Sequence, residues 1–260
     1  MLSKENAKKE TEKVIEWIKD YVEKSGAKGI VVGNSGGKDS ATVIALSVKA
    51  IGKENVVTVA MPCGSEASDL EDAKLVSDTF DVQLLEIELS DIYSGLADEI
   101  NQGLRTGNTN DRISKEAEIN IKPRLRMTAL YAVAQTMGYL VIGTGNLSEI
   151  MVGYTTKWGD SACDFNPIAN FTVEEVKLIG TLLGVPESII QKAPDSGLGI
   201  GIDEKNLGVK YSQISEYINT GHTDSEAMEK IEKMNKKSTH KRENVPTYPF
   251  ERKNYLKKLN

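Results

Sequence analysis

One stretch constrains this chain more than any other: Gly29-Ile-Val-Val-Gly-Asn-Ser-Gly-Gly-Lys-Asp-Ser40. Gly29 to Gly33 is a short β-branched run, the signature of a buried parallel strand. Ser35, Gly36 and Gly37 then turn the chain, and paired glycines allow positive φ and leave no Cβ to block a ligand. From Asp39 onward, Ala41, Val43, Ile44, Ala45, Leu46 and Val48 carry the apolar face of a helix. A strand, a glycine turn and a helix N-terminus in that order form an anion trap, because free N–H groups and the helix dipole both point at the turn. The common phosphate-binding P-loop is excluded, since Val32 stands where it needs Gly and Asp39 where it needs Ser or Thr. A carboxylate at a phosphate site makes sense when a cation bridges the two, and this makes Asp39 the informative residue.

The rest of the chain arranges itself around this stretch. Helices are expected over 4–25, 65–80, 91–103 and 122–137, and strands over 56–61, 83–89 and 139–143. Such alternation implies βαβ crossovers and a parallel sheet. The 122–137 helix should start at Pro123, a residue suited to a first turn, and 104–118 reads as a long polar loop. Further helices are expected over 172–183, 186–193, 204–219 and 223–237, with a glycine-rich loop over 193–203 lying across the site. In open sheets ligands gather beyond the carboxyl ends of strands, so the 33–40 turn and the 143–149 segment should meet there. The 260 residues suffice for one large α/β domain. A formal net charge of −6 argues against a nucleic-acid partner. Cys63 and Cys163 lie far apart without a metal-spaced partner, which fits a reducing, cytoplasmic setting. No apolar run approaches the ~20 residues of a membrane span.

Ser35-Gly-Gly-Lys-Asp-Ser40 resembles the pyrophosphate loop of the ATP pyrophosphatases. With Met61-Pro62, Asn120 to Met127, Gly143 to Glu149, Lys157-Trp-Gly-Asp160, Asp164 with Pro167, Asp203-Glu204, Leu207-Gly208 and His240-Lys-Arg242, the chain resembles ammonia-dependent NAD synthetases from about Gly29 to Pro249. The resemblance implies an open, mostly parallel, doubly wound α/β sheet with helices on both faces and extra C-terminal helices. It implies a single domain over 1–260, with its ATP pyrophosphatase core at about 25–190. The implied reaction has two steps. The nicotinate carboxylate of deamido-NAD attacks the α-phosphorus of ATP, and ammonia then displaces AMP from the acyl-adenylate.

Carried onto this sequence, the resemblance assigns Gly33, Asn34, Ser35, Gly36, Gly37, Lys38, Asp39 and Ser40 to the ATP phosphates. Met61 would lie beside the adenine and Thr144 would hydrogen-bond ATP. Asp39 and Glu149 would hold Mg²⁺ and, with Lys38, form the catalytic set. Asn120, Arg124, Lys157, Asp164, His240 and Lys241 would hold deamido-NAD. The residues alone leave blander roles open: Glu149 as a helix-start carboxylate, Arg124 as an exposed helix charge, Lys157 in an ordinary turn, and a solvated tail at 240–242. Two positions depart from the family pattern. Val173 stands where many members place a Lys on ATP, and Asp195 follows Pro194 where Ser or Thr is usual, which implies weaker ATP affinity. Lys192 or Ser196 would then substitute. Only about 28 residues precede the loop, so no fused amidase domain is expected and free ammonia is the implied nitrogen source. The family also implies a homodimer, with the 122–137 helix as part of the interface. The rival readings are another adenylating ATP pyrophosphatase, such as a GMP synthetase-like enzyme, and a silent nucleotide-binding module.

Overall fold

The computed structural model describes residues 2–107, 111–192 and 203–249. Helix α1 (Lys4–Ser25) starts at Ser3, whose side chain accepts from the Asn6 N–H, and ends at Gly26. Then come β1 (Ile30–Gly33), α2 (Lys38–Ile51), β2 (Val56–Ala60), α3 (Ala67–Phe80), β3 (Gln83–Glu86) and α4 (Ser90–Thr106). Helix α5 (Lys115–Met137) leads to β4 (Leu140–Ile142), followed by α6 (Leu147–Val152), α7 (Val173–Leu183) and α8 (Glu187–Ile190). The described C-terminal part holds α9 (Asp203–Leu207), α10 (Tyr211–Thr220), α11 (Ser225–Lys237) and a 3₁₀ turn over Thr239–Lys241.

The four strands form one parallel sheet in the order β3-β2-β1-β4, and Ile30 stands level with both Val56 and Leu140. Alternation along β1 sends Ile30 and Val32 into a cluster with Ile18 of α1, Ile44 of α2 and Ile179 of α7. Val31 faces the opposite way, with Val57, Val59, Val141 and Ala134 of α5. Both faces are therefore covered, which is why the strands read as unbroken apolar runs. A third cluster joins Val152, Val173, Ile214 and Ile231, and packs the C-terminal helices beside the sheet domain. No helix among the described residues is long and apolar enough to cross a membrane.

Three elements depart from the sequence reading. Helix α5 begins at Lys115 rather than near Pro123, because the Ser114 side chain accepts from the Ala117 N–H and caps it there. Pro123 is thus buried inside the helix, where its missing N–H forfeits one ladder bond. The segment expected as one helix over 204–219 is two, broken where Gly208 takes φ +68°. Helix α6 was not among the expected helices, although Glu149 was open to reading as a helix-start carboxylate. Asn146 opens it with a capping box, its side chain accepting from the Glu149 N–H while the Glu149 carboxylate accepts from the Asn146 N–H.

Candidate functional site

The sheet order reverses at β1: the chain winds outward through β2 and β3, then returns to place β4 on the other side. Crossovers leaving in opposite directions open a crevice beyond the carboxyl ends of β1 and β4. A cleft of about 660 Å³ lies there, lined by the 33–40 turn, the 143–145 segment, Glu149, and side chains from α3, α5 and the 153–162 segment.

The phosphate turn is held from behind. Asn34 is buried, and its side-chain amide donates to the Ala73 carbonyl (2.8 Å) and the Ser77 hydroxyl (3.1 Å) while its Oδ1 accepts from the Gly36 N–H (3.1 Å). Asn34 thus braces the turn against α3 with its side chain. The Ser35 hydroxyl accepts from the Gly37 N–H (3.3 Å) and lies 3.2 Å from the Ser40 hydroxyl. Gly36 sits at φ +70°, and a Cβ there would lie 2.6 Å from Asp72 Cβ and 2.8 Å from the Asp69 carbonyl oxygen. Glycine is required at that position by both conformation and space.

Asp39 and Glu149, 110 positions apart in the chain, converge on Asn146. The Asn146 side chain donates to Asp39 Oδ1 (3.1 Å), and its backbone N–H donates to Glu149 Oε2 (3.0 Å). Lys38, buried beneath them, pairs with Asp39 Oδ2 at 2.9 Å. Burial alone would lower the Lys38 pKa, but Asp39, Glu149 and Asp203 outweigh it and raise the pKa above its ordinary value. Burial pushes the Glu149 carboxyl well above the usual carboxylate range, and the Asp39 charge adds to the push. Two crowded carboxylates offer hard oxygen donors, and a cation would relieve both the burial and the repulsion. Among the described residues no group of three His, Cys, Asp or Glu side chains is arranged as a metal cage. Two carboxylates are as many as Mg²⁺ usually takes from a protein, its shell being completed by water and phosphate oxygens.

The residues expected on the second substrate divide into two groups. Asn120 lines the cleft and accepts from the Thr156 hydroxyl (2.6 Å). Lys241 also lines it, donating to the Gly153 (2.8 Å) and Thr155 (2.6 Å) carbonyls and so fastening the 3₁₀ turn to the far wall. The Lys157 ammonium donates to the His240 carbonyl (2.6 Å), and Arg124 donates to the Lys157 carbonyl (3.3 Å). Arg124, Lys157 and His240 thus form a cluster on the exposed rim. Met61 and Thr144 also line the cleft.

Asp164 and Val173 stand elsewhere. The Asp164 carboxylate accepts from the Val141 N–H (2.8 Å) and the Tyr131 hydroxyl (3.2 Å), so it splices its own segment to the edge of β4. Val173 is 1% exposed in the third core cluster, with its N–H on the Ser148 hydroxyl, and does not line the cleft. Asp195 and Ser196 lie outside the described residues.

Three cleft residues received no assignment to the site on sequence grounds, and a fourth, Lys192, was expected there only as a substitute contact for ATP. Asp160 accepts from the Thr156 N–H (2.8 Å), and burial raises its pKa. Arg126 donates to the Met61 carbonyl (3.2 Å) and the Ser65 hydroxyl (3.3 Å), and burial lowers its pKa. Asp203 accepts from the Tyr154 hydroxyl (3.1 Å). Lys192 bridges Asp69 Oδ1 (3.0 Å) and Asp72 Oδ2 (2.6 Å), the stretch of α3 that packs on Gly36. Asp160, Arg126 and Asp203 each stand inside a matched segment, which was the available signal. For Lys192 the bridge joins residues about 120 positions apart, and no local pattern shows it.

Comparison with known proteins agrees with this geometry. Residues 10–245 match the NAD synthase family profile. An NH₃-dependent NAD⁺ synthetase of Carboxydothermus hydrogenoformans is 39% identical over 246 residues, covering 94% of this chain and 98% of the relative. Among solved structures, an NMN synthetase from Francisella tularensis superposes with TM-score 0.85 at 30% identity, covering 96% of this chain and all of that one. An NH₃-dependent NAD synthetase from Campylobacter jejuni, in complex with nitrate, gives TM-score 0.74 at 28% identity over 93% and 98% of the two chains.

Proposed function

The chain belongs to the NAD synthase family, and from that membership we infer that it amidates deamido-NAD to NAD with ATP and ammonia, releasing AMP and pyrophosphate. One observation carries this reading: a glycine phosphate turn at the end of β1 faces a carboxylate pair drawn from two strand ends, Asp39 and Glu149. The N–H groups at the start of α2, presented by the turn, stabilise the phosphates and the departing pyrophosphate. Asp39 and Glu149 are the residues that would hold Mg²⁺, which when bound supplies charge neutralisation at the phosphate oxygens. Lys38 and Asn146 orient that pair rather than reacting, and Asn34 braces the turn that carries Asp39. A carboxylate is a poor acyl donor, so adenylation supplies a leaving group, and the protein's remaining work is alignment. The rim cluster of Arg124, Lys157 and His240, together with Lys241 and Asn120, is proposed to seat the nicotinate-bearing substrate. The chain is proposed to act as one domain in the cytoplasm, a setting that its unpaired Cys63 and Cys163 support. A homodimer through the outer side of α5 is proposed as well, and a monomer in sedimentation at micromolar protein would refute it.

The likeness to the NMN synthetase favours a second reading, in which the substrate is the nicotinate mononucleotide rather than the dinucleotide. The reacting carboxylate is the same in both. The deciding assay offers each substrate with Mg-ATP and an ammonium salt, and counts NAD or NMN beside AMP and pyrophosphate, with Glu149→Ala as control. NAD appearing one-for-one with AMP, and lost in the variant, supports the dinucleotide reading. Product from the mononucleotide alone selects the second, and AMP without either amide would refute both.

A further inference from the structure

The basic run His240-Lys241-Arg242 has a third member that the substrate seat leaves unused. Arg242 does not line the cleft. Its guanidinium reaches back to α6 instead, with Nη1 donating to the Ile150 carbonyl (3.1 Å) and the Ser238 hydroxyl (2.8 Å), and Nη2 to the Asn235 carbonyl (2.6 Å). Asn235 of α11 makes the adjoining bond, its side-chain amide donating to the Met151 carbonyl (2.7 Å). The two side chains thus hold successive carbonyls, at the two positions that follow Glu149. The approach is close, since a Cβ on Gly153, which ends α6 at φ +69°, would collide with the Ser238 side chain.

A helix of six residues is too short to hold itself, because its first turn is costly to nucleate and its end carbonyls lack partners within the helix. The sheet domain holds the first half of α6: the Leu147 N–H donates to the Phe171 carbonyl (2.8 Å), and the Ser148 hydroxyl accepts from the Val173 N–H (3.2 Å). The second half closes on Gly153 and is held from outside by Asn235 and Arg242. Glu149 lies between the two halves. Asn146, whose side chain and N–H bond to Asp39 and Glu149, is the cap of the same helix. Any shift of α6 therefore moves both members of the carboxylate pair or their tether. Arg242 is exposed, so its charge is screened and what it supplies is the placement of the helix.

We propose that Asn235 and Arg242 are positioning residues for a divalent cation at Asp39 and Glu149, acting through α6 and touching neither the cation nor the substrates. This rests on the cation site proposed above. Loss of outer groups that orient metal ligands typically weakens metal binding by about 10- to 100-fold. These two act one step further out, which puts their joint effect at the low end of that range.

The test compares the full-length wild type with Arg242→Met, Asn235→Leu, the double variant and Glu149→Gln, all without nucleotide. Thr239→Val is the control, because the Thr239 hydroxyl bonds only within the α11 end, to the Lys236 (2.9 Å) and Asn235 (3.4 Å) carbonyls. Mn²⁺ binding is followed by the loss of the free-ion EPR signal, and urea unfolding is measured in EDTA. Val152 and Ile231 share the third core cluster, so the variants should keep α6 docked and lose only its exact placement. The expected result is about tenfold weaker Mn²⁺ binding by the double variant, a smaller loss in each single variant, and wild-type affinity in Thr239→Val. Single variants carry the test if the double variant does not fold. Variants that lose stability in urea but bind Mn²⁺ as the wild type does would show a merely structural role, which overturns the proposal. Equal weakening in Thr239→Val would show general loosening of the C-terminal turn and overturns it too. No Mn²⁺ binding by the wild type, or undiminished binding by Glu149→Gln, overturns the cation site and the proposal together.

Discussion

Adding one methyl group to the phosphate turn tests how rigidly the site is built. In Gly36→Ala the new Cβ would stand 2.6 Å from Asp72 Cβ, 2.8 Å from the Asp69 carbonyl oxygen and 2.9 Å from the Ala73 nitrogen. Two of those atoms belong to the α3 backbone and cannot rotate aside. Ordinary contact needs about 3.5–4.0 Å, so the turn must retreat from α3 by about 1 Å. That retreat stretches the Asn34 bonds to Ala73 and Ser77, worth about 0.5–1.5 kcal/mol each. The left-handed φ of +70° adds about 1–2 kcal/mol for a residue with a Cβ. The sum is about 2–5 kcal/mol, within the ~5–15 kcal/mol that holds a domain of this kind together. The variant should therefore fold but melt early in urea. A displacement near 1 Å at the phosphate N–H groups should also lower kcat/KM for ATP by about 100-fold. Gly37→Ala is the control, because its Cβ would meet only the Ser35 hydroxyl, at 3.2 Å, and its φ is −93°. It should cost about 1 kcal/mol, as a weaker helix cap. Equal stability of the two variants would refute the reasoning.

Three further outcomes follow from the cleft. Burial raises the Asp160 pKa above its ordinary 3.8, so its contribution to stability is present in full below that value and is lost as pH rises through the folded pKa. Asp160 keeps a solvent-exposed side, so screening holds the effect small: Asp160→Asn should gain only slightly in stability relative to wild type as pH climbs from 4 to 8 in urea titrations, and a constant difference would count against the raised pKa. Lys192→Ala leaves Asp69 and Asp72 unneutralised beside the phosphate turn, so the KM for ATP should rise by about tenfold, and an unchanged KM in initial-rate assays would remove Lys192 from the site. Lys241→Met cuts the two bonds that fasten the 3₁₀ turn to Gly153 and Thr155. It should raise the KM for the nicotinate-bearing substrate by about tenfold while leaving that for ATP alone, and equal changes in both would show a general loss of structure.

Much of this molecule was legible in its residues because the relevant information is local. A buried strand, a glycine turn and a helix start are written in contiguous positions, and the spacing of apolar runs specified a parallel sheet that the structure bears out. The carboxylate pair was legible too, since each member lies just beyond a strand end and parallel strands bring those ends together. Other features were hidden for a common reason: they depend on partners that only packing supplies. Asp164 spends its carboxylate on the Val141 N–H and the Tyr131 hydroxyl, and Val173 turns into a core cluster built by α10 and α11. Pro123 sits within α5 because a cap nine residues earlier started the helix sooner. The sequence by itself determined the order of strands and helices and the chemistry at their ends. The tertiary structure alone decided which side chains face the cleft and which are consumed in holding it open. A side chain's role depends on what stands within about 3 Å of it, and in a folded chain those neighbours come from anywhere along its length.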